Sequence, residues 1–177
     1  SSITIKNLIL DLDDSDIRNY QGGLIGSCYD KAAINILIQN CAVINIKLIS
    51  QYGGGLLGQH VGYNGGTALI ENCYVSQDVN RENERGGGGL LGVTAGGGNG
   101  GGVVTIVNSY FIGNLEKDKM GGIAGEKCGK YGSVRIENCA AFGTPNTGAG
   151  AICHLESGNN NNLTISNGIL GLCSIKR

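Results

Sequence analysis

The densest group of residues able to do chemistry is a run of acids near the start of the chain, Asp11-Leu12-Asp13-Asp14-Ser15-Asp16. Alternating carboxylates on one loop can gather the several oxygen ligands that Ca²⁺ requires. The run lacks the glycine and the closing glutamate of an EF-hand loop. We therefore expect a solvated acidic loop and no bound cofactor. The secondary interpretation is a calcium site made of Asp11, Asp13, Asp14 and Asp16.

A pair of acids, Glu71 and Glu137, has a spacing that could suit glycoside hydrolysis. Each stands directly before the Asn of an Ile-Glu-Asn-Cys string. If the strings stack as β-strands with one other copy between them, the two carboxylates lie about 10 Å apart, which is compatible with an inverting pair. However, Gln39 and Val107 replace the acid in neighbouring copies, and neither histidine, His60 nor His154, has a recurring acidic neighbour. We expect exposed strand positions and a protein that is not an enzyme.

The seven cysteines are an odd number, so at least one thiol cannot pair within the chain. Cys41, Cys73 and Cys139 share one repeat position. Stacked cysteines have parallel Cβ vectors, which keeps their Cβ atoms farther apart than the roughly 3.8 Å that a disulfide prefers. We expect a buried ladder of free core thiols. The alternative is staggered disulfides that involve the other cysteines, which are Cys28, Cys128, Cys153 and Cys173.

These residues belong to a repeated string whose fullest copy is Ile70-Glu71-Asn72-Cys73-Tyr74-Val75. An isoleucine stands two places before each of six asparagines, which follow one another at intervals of 33, 32, 36, 30 and 29 residues: Asn7, Asn40, Asn72, Asn108, Asn138 and Asn167. A second string, Gly-Gly-(Leu/Ile)-x-Gly, recurs between them from Gly22, Gly54, Gly88 and Gly121, with a degenerate copy from Gly150. Two strings that share one period of about 32 residues indicate a solenoid.

Each Ile-x-Asn string has the pattern of a half-buried β-strand. Apolar residues stand four and two places before the Asn, and polar or variable residues alternate with them. The Asn falls on the inward phase, where stacked amides can pair in a structural ladder, and Asn tolerates the left-handed conformation of a bend. The glycine-rich string is expected to be another inward strand, and the polar stretch from Asp11 to Tyr20 is expected to be a loop. The chain is predicted to be one all-β domain, residues 1–177, folded as a parallel β-helix or β-solenoid of five to six coils.

Composition excludes several classes of function. The chain has 13 basic and 14 acidic residues and a net charge of −1, so it lacks the basic surface that binds nucleic acid. No run of 18 apolar residues predicts a membrane span. The first residue is Ser1 rather than Met, which predicts processing or excision from a longer protein.

The combination of Gly-Gly-(Leu/Ile)-x-Gly with Ile-x-Asn-Cys-Tyr resembles the glycine-rich GLUG-type solenoid repeat of bacterial surface adhesins. Similar arrays occur in repeat proteins of giant viruses and protists. The resemblance extends from Ile3 to Leu172 and implies an extracellular, cell-surface or virus-particle protein, with no catalytic residues to carry over.

Open solenoid ends expose unpaired strand edges, which normally must be covered. The sequence therefore favours a structural protein that self-associates through its ends or is displayed as a fibre or spike. One alternative is an adhesin module that binds glycans or a host surface through its loops, and another is a carbohydrate-active β-helix enzyme. Ice binding would need regular outward threonines, and the third position before each Asn is irregular.

Overall fold

The computed structural model describes residues 1–28, 33–77, 86–98, 100–114, 121–143, 152–153 and 163–172. In these ranges the chain is all β, without a helix. Twelve strands follow one another: β1 (Ser2–Lys6), β2 (Ile9–Ile17), β3 (Asn35–Gln39), β4 (Ala42–Ile49), β5 (Thr67–Glu71), β6 (Tyr74–Gln77), β7 (Val103–Val107), β8 (Tyr110–Ile112), β9 (Ser133–Glu137), β10 (Ala140–Gly143), β11 (Leu163–Ser166) and β12 (Ile169–Leu172).

The strands form two parallel six-stranded sheets. Sheet A contains the odd-numbered strands in the order β1-β3-β5-β7-β9-β11, and sheet B contains the even-numbered strands from β2 to β12 in the corresponding order. Each strand pairs with its equivalent in the next coil, so that Ile38 is opposite Ile70 and Ile70 is opposite Ile106. The predicted parallel β-solenoid is confirmed.

The glycine-rich string forms the third side of each coil, but it is not a strand as predicted. Isolated parallel bridges connect Gly22, Gly54, Gly88 and Gly121, and a second line of bridges connects Ile25, Leu57, Leu91, Ala124 and Cys153. The residues between the two bridges bend, so both Leu56 and Leu57 are fully buried. Two adjacent inward side chains are incompatible with the alternation of a strand.

The number of complete coils is slightly lower than predicted. Four coils carry both sheet strands and a described Gly-Gly string. The fifth is described on its third side only at Ile152 and Cys153, and the sixth only in its two strands.

One continuous hydrophobic core runs through the described coils. Sheet A contributes Ile38, Ile70 and Ile106, which are all fully buried, and sheet B contributes Val43, Val75, Phe111 and Ala141. The third side adds Leu56, Leu90 and Ile123. Strands contact only their equivalents in adjacent coils, as in other repeat architectures.

The acidic stretch that begins at Asp11 is where the structure differs most from the local prediction. Residues predicted to leave the sheet as a loop at Asp11 instead continue β2 to Ile17. The pairing with β4 shifts register between Asp11 and Ser15, where Asp13 and Asp14 have φ values of 46° and 60°. Aspartate tolerates this left-handed region, so the strand accommodates the acids through a bulge.

No helix in the described part of the chain is long and apolar enough to cross a membrane.

Candidate functional site

The six asparagines lie at the corner between sheets A and B. All six have φ values between 50° and 55°, the left-handed region that Asn adopts more readily than other non-glycine residues. Their amides form a ladder in which Nδ2 of one coil donates to Oδ1 of the coil before it. The Nδ2 to Oδ1 distances are 3.0 Å from Asn40 to Asn7, 3.2 Å from Asn72 to Asn40, 3.3 Å from Asn108 to Asn72 and 3.1 Å from Asn138 to Asn108. Asn167 has the same backbone conformation, with a φ of 51°.

The ladder lies on the surface, not in the core as the alternation suggested. The six Asn side chains are exposed. The left-handed residue interrupts the alternation of the strand and turns its own side chain outward, while the next residue points inward. Water therefore competes for the amide hydrogen bonds, which limits the net contribution of each to about 1 kcal/mol.

The residue after each of the four interior asparagines has a buried polar atom that caps the corner. Cys41, Cys73 and Cys139 are 1–2% exposed, and each Sγ donates to the carbonyl oxygen two residues earlier at 3.2 Å. In the fourth coil, Ser109 Oγ makes the same contact with the Val107 carbonyl at 2.8 Å. Burial raises the pKa of Cys73 to about 11 and also raises the pKa of Cys139. These thiols are protonated donors at neutral pH, and the low thiolate fraction makes them poor nucleophiles.

Two of the four acids of β2 have partners among neighbouring residues. Asp11 Oδ1 accepts hydrogen bonds from the Asp13 N–H at 2.9 Å and from Asn45 Nδ2 at 3.0 Å, and these bonds lower the pKa of Asp11. Asp16 lies 4.0 Å from Lys47. Among the described residues, no three His, Cys, Asp or Glu side chains are grouped so that they could hold a metal ion.

Glu71 and Glu137 lie on the outward side of sheet A and are separated by Val107 of the intervening strand. Each already has a polar partner. Gln39 Nε2 donates to Glu71 at 2.7 Å, and Arg135 forms an ion pair with Glu137 at 2.5 Å. Both carboxylates are therefore engaged by neighbouring polar side chains on the outward face of sheet A.

His60 lies on the third side, edge-on to the Tyr63 ring at 4.6 Å. It lies close to Cys28 in a tightly packed region that Ile34 and Ile36 also line. Burial lowers the pKa of His60 and raises the pKa of Cys28. Both shifts favour the neutral forms, which is the opposite of a thiolate and imidazolium pair. His154 and Cys173 lie outside the described residues.

The outward side of sheet B presents an apolar surface. The Tyr74 and Tyr110 rings stack with centroids 5.1 Å apart and planes inclined by 7°. Ile112 is 40% exposed beside them, and Ile9 is 67% exposed at the end of the same sheet. Sequence reasoning missed this stacking. The sequence did contain a pattern that predicts it, because both tyrosines stand two places after a corner Asn and so occupy equivalent positions in successive coils.

The two ends of the described solenoid expose residues that are buried in every interior coil. Ile3 is 36% exposed, whereas its partner Ile36 in the next coil is 3% exposed. At the opposite end, Ile165 is 44% exposed and its partner Ile136 is fully buried. Ile3 and the half-buried Leu163 end one core column of sheet A, and the half-buried Ile5 and Ile165 end the next one. The two ends thus present the same two columns of core positions, together with the free edges of β1 and β11.

Comparison with known proteins found no match to this chain among family models, curated proteins or solved structures. The functional interpretation therefore depends on the geometry of the coils, the surfaces and the ends.

Proposed function

We propose that this protein is a non-catalytic structural protein whose β-solenoid stacks end to end into a fibre or spike. The observation that carries the proposal is the partial exposure of the same two core columns at both ends, at Ile3 and Ile5 on one end and at Leu163 and Ile165 on the other. An end that repeats the interior pattern is complementary to the opposite end of a second copy. Stacking would continue both sheets and bury these side chains as the interior coils do.

The direction of the hydrogen bonds in the asparagine ladder favours head-to-tail stacking of the copies. In every described rung the later coil donates to the earlier coil. At the first coil, the Asn7 amide nitrogen is therefore directed toward the end of the ladder. In a head-to-tail stack it would donate to the Asn167 oxygen of a second copy, and free edges of β1 and β11 would pair as parallel strands do.

A display site on a cell surface or virus particle is part of the proposal and is supported by the GLUG-like repeat. The near-neutral net charge of −1 is compatible with close packing of identical copies, because little repulsion opposes their approach.

The test is a concentration series of the 177-residue chain in sedimentation velocity, with negative-stain microscopy of the same samples. We expect the average sedimentation coefficient to rise with concentration and rods longer than one solenoid to appear. Ile3→Lys places a charge on the end and should abolish growth. Thr4→Lys is the matched control, because Thr4 is the next residue and points outward from sheet A.

Two results would contradict end-to-end stacking. One is a monomer at every soluble concentration. The other is equal suppression by Ile3→Lys and Thr4→Lys, which would assign association to the outward face of sheet A.

An adhesin-type binding module is the second candidate, and the stacked Tyr74 and Tyr110 favour it. Tyrosine combines apolar contact area with a hydroxyl that can hydrogen-bond a glycan or a host protein. Glycan-array binding that is lost in Tyr110→Ala and kept in Thr105→Ala would support this function. A carbohydrate-active enzyme has the least support, because Glu71 and Glu137 are each engaged by a different neighbour.

A further inference from the structure

Two cysteines that do not belong to the corner ladder lie near the last described coils. Cys128 is fully buried in the hydrophobic core, and the half-buried Cys153 packs against that core. Neither forms a disulfide in this structure. The proposed stacking function uses neither of them.

The backbone brings Cys153 onto the coil that contains Cys128. Cys153 forms a parallel bridge with Ala124, and the N–H groups of Ile123 and Ala124 donate to the Ile152 carbonyl at 2.8 and 3.1 Å. The coils are tightly apposed here, since a Cβ atom added to Gly121 would lie 3.1 Å from the Cys153 Cα. Cys128 follows Ala124 by four residues, and its thiol is hydrogen-bonded with the Cys153 thiol.

This contact differs from those of the corner cysteines. The Cys41, Cys73 and Cys139 thiols donate to backbone carbonyl oxygens, at 3.2 Å within their own coil and at 3.6 to 3.8 Å in the coil before it. The Cys153 thiol instead has a sulfur atom of a neighbouring coil as its partner. Contact between two sulfur atoms from different segments is the arrangement that a disulfide requires.

We propose that Cys128 and Cys153 are a disulfide-forming site that reacts with a small-molecule disulfide and locks the fourth and fifth coils together. Cys153, the more accessible of the two, attacks the small disulfide as a thiolate and releases one small thiol. Cys128 then attacks the Cys153 sulfur of this mixed disulfide and releases the second small thiol. The protein dithiol loses two electrons and two protons, which the small disulfide gains as it becomes two thiols.

The chemistry sets a pH dependence for the reaction. The neighbouring Cys128 thiol and burial raise the pKa of Cys153. Little thiolate is therefore present at neutral pH, and the oxidation rate should rise as the pH increases. The bond would enclose β9 and β10 in one loop, because both strands lie between the two cysteines.

The experiment treats the native chain with excess oxidised glutathione at about pH 8.5. The chain is then unfolded in urea with an alkylating agent present, so that the buried thiols also react, and the peptides are mapped without reduction. The number of alkylated thiols should fall from seven to five, and one crosslinked peptide pair should contain Cys128 and Cys153. The oxidised protein should also resist limited proteolysis between β10 and β11 several-fold longer than the reduced protein.

Matched variants keep the result interpretable. In Cys153→Ser no crosslink should form and all six remaining thiols should be alkylated, whereas Cys73→Ser should retain the crosslink. Far-UV circular dichroism establishes that each variant is folded. The proposal is overturned if the native protein keeps seven free thiols while urea-unfolded protein is oxidised. It is also overturned if Cys153 pairs with Cys139 or Cys173 instead.

Discussion

The asparagine corner and the glycine-rich side both bend the chain once in every coil, yet they stack by opposite means. At the corner, exposed side chains form hydrogen bonds from coil to coil through Asn40, Asn72 and Asn108. On the glycine-rich side the backbones themselves are in contact, and Gly55 N donates to the Gly89 oxygen at 3.0 Å. The corner requires an amide side chain, whereas the glycine-rich side requires positions that have no side chain.

This difference predicts unequal tolerance to mutation. Phe111 of sheet B packs directly onto Gly89, and Val75 packs onto Gly55 in the same way. An added methyl group would meet both backbone and a buried side chain, and neither has room to move in a close-packed core. The exposed amides at the corner, in contrast, can be replaced by water.

The largest effect is expected for Gly89→Ala. The new Cβ atom would lie 2.1 Å from the Gly122 oxygen and 2.3 Å from Phe111 Cγ. We expect a loss of about 3 kcal/mol or more in the free energy of unfolding, measured by urea denaturation followed by circular dichroism. Gly65→Ala is the control, because its Cβ atom would be 3.6 Å from the nearest atom and only its φ of 88° is unfavourable. That variant should lose about 1 kcal/mol, and equal losses in the two variants would refute the steric explanation.

A smaller effect is expected at the corner, where Asn72 can be changed in two ways. Asn72→Ala removes the amide bonds to Asn40 and Asn108 and also disfavours the φ of 52°. Asn72→Gly removes the same bonds but accepts that φ. We expect losses of about 2 kcal/mol for Ala and about 1 kcal/mol for Gly in the same denaturation assay. If Gly were as destabilising as Ala, the amide bonds and not the backbone conformation would dominate the corner.

The sequence predicted the elements whose pattern repeats without exception. The isoleucine two places before each Asn specified the inward side of sheet A, and the common period specified the register that pairs Ile38 with Ile70. The corner followed from the tolerance of Asn for a left-handed conformation. These features are local and periodic, so a single sequence contains them.

The features that were missed depend on conformations that interrupt the period. Counting by twos through Asn72 placed its side chain inside, but a φ of 52° ends the alternation and buries Cys73 instead. The adjacent Leu56 and Leu57 were a sign that the glycine-rich string was not a strand. The continuation of β2 through Asp11 depended on pairing with β4, a long-range contact that local composition does not reveal.

The smallest effect is expected at Asn45 of sheet B, whose amide donates to a carboxylate and not to a second amide. Asn45, with a φ of 56°, donates to Asp11 as Asn40 donates to Asn7. Hydrogen bonds to the carboxylate lower the pKa of Asp11 in the folded protein. They therefore stabilise the fold at pH values above the ordinary pKa of 3.8, and this stabilisation is lost as the pH falls through the lowered pKa of the folded state.

Asn45→Ala should raise the pKa of Asp11 only part of the way to 3.8, because the hydrogen bond from the Asp13 N–H, which is the larger cause of the shift, remains. Titration of the Asp11 carboxyl carbon by NMR measures the change, and Ser76→Ala is a control that leaves both bonds intact. A pKa that does not move in Asn45→Ala would mean that the backbone bond alone holds the carboxylate, so that the rung acts as a structural contact without electrostatic effect.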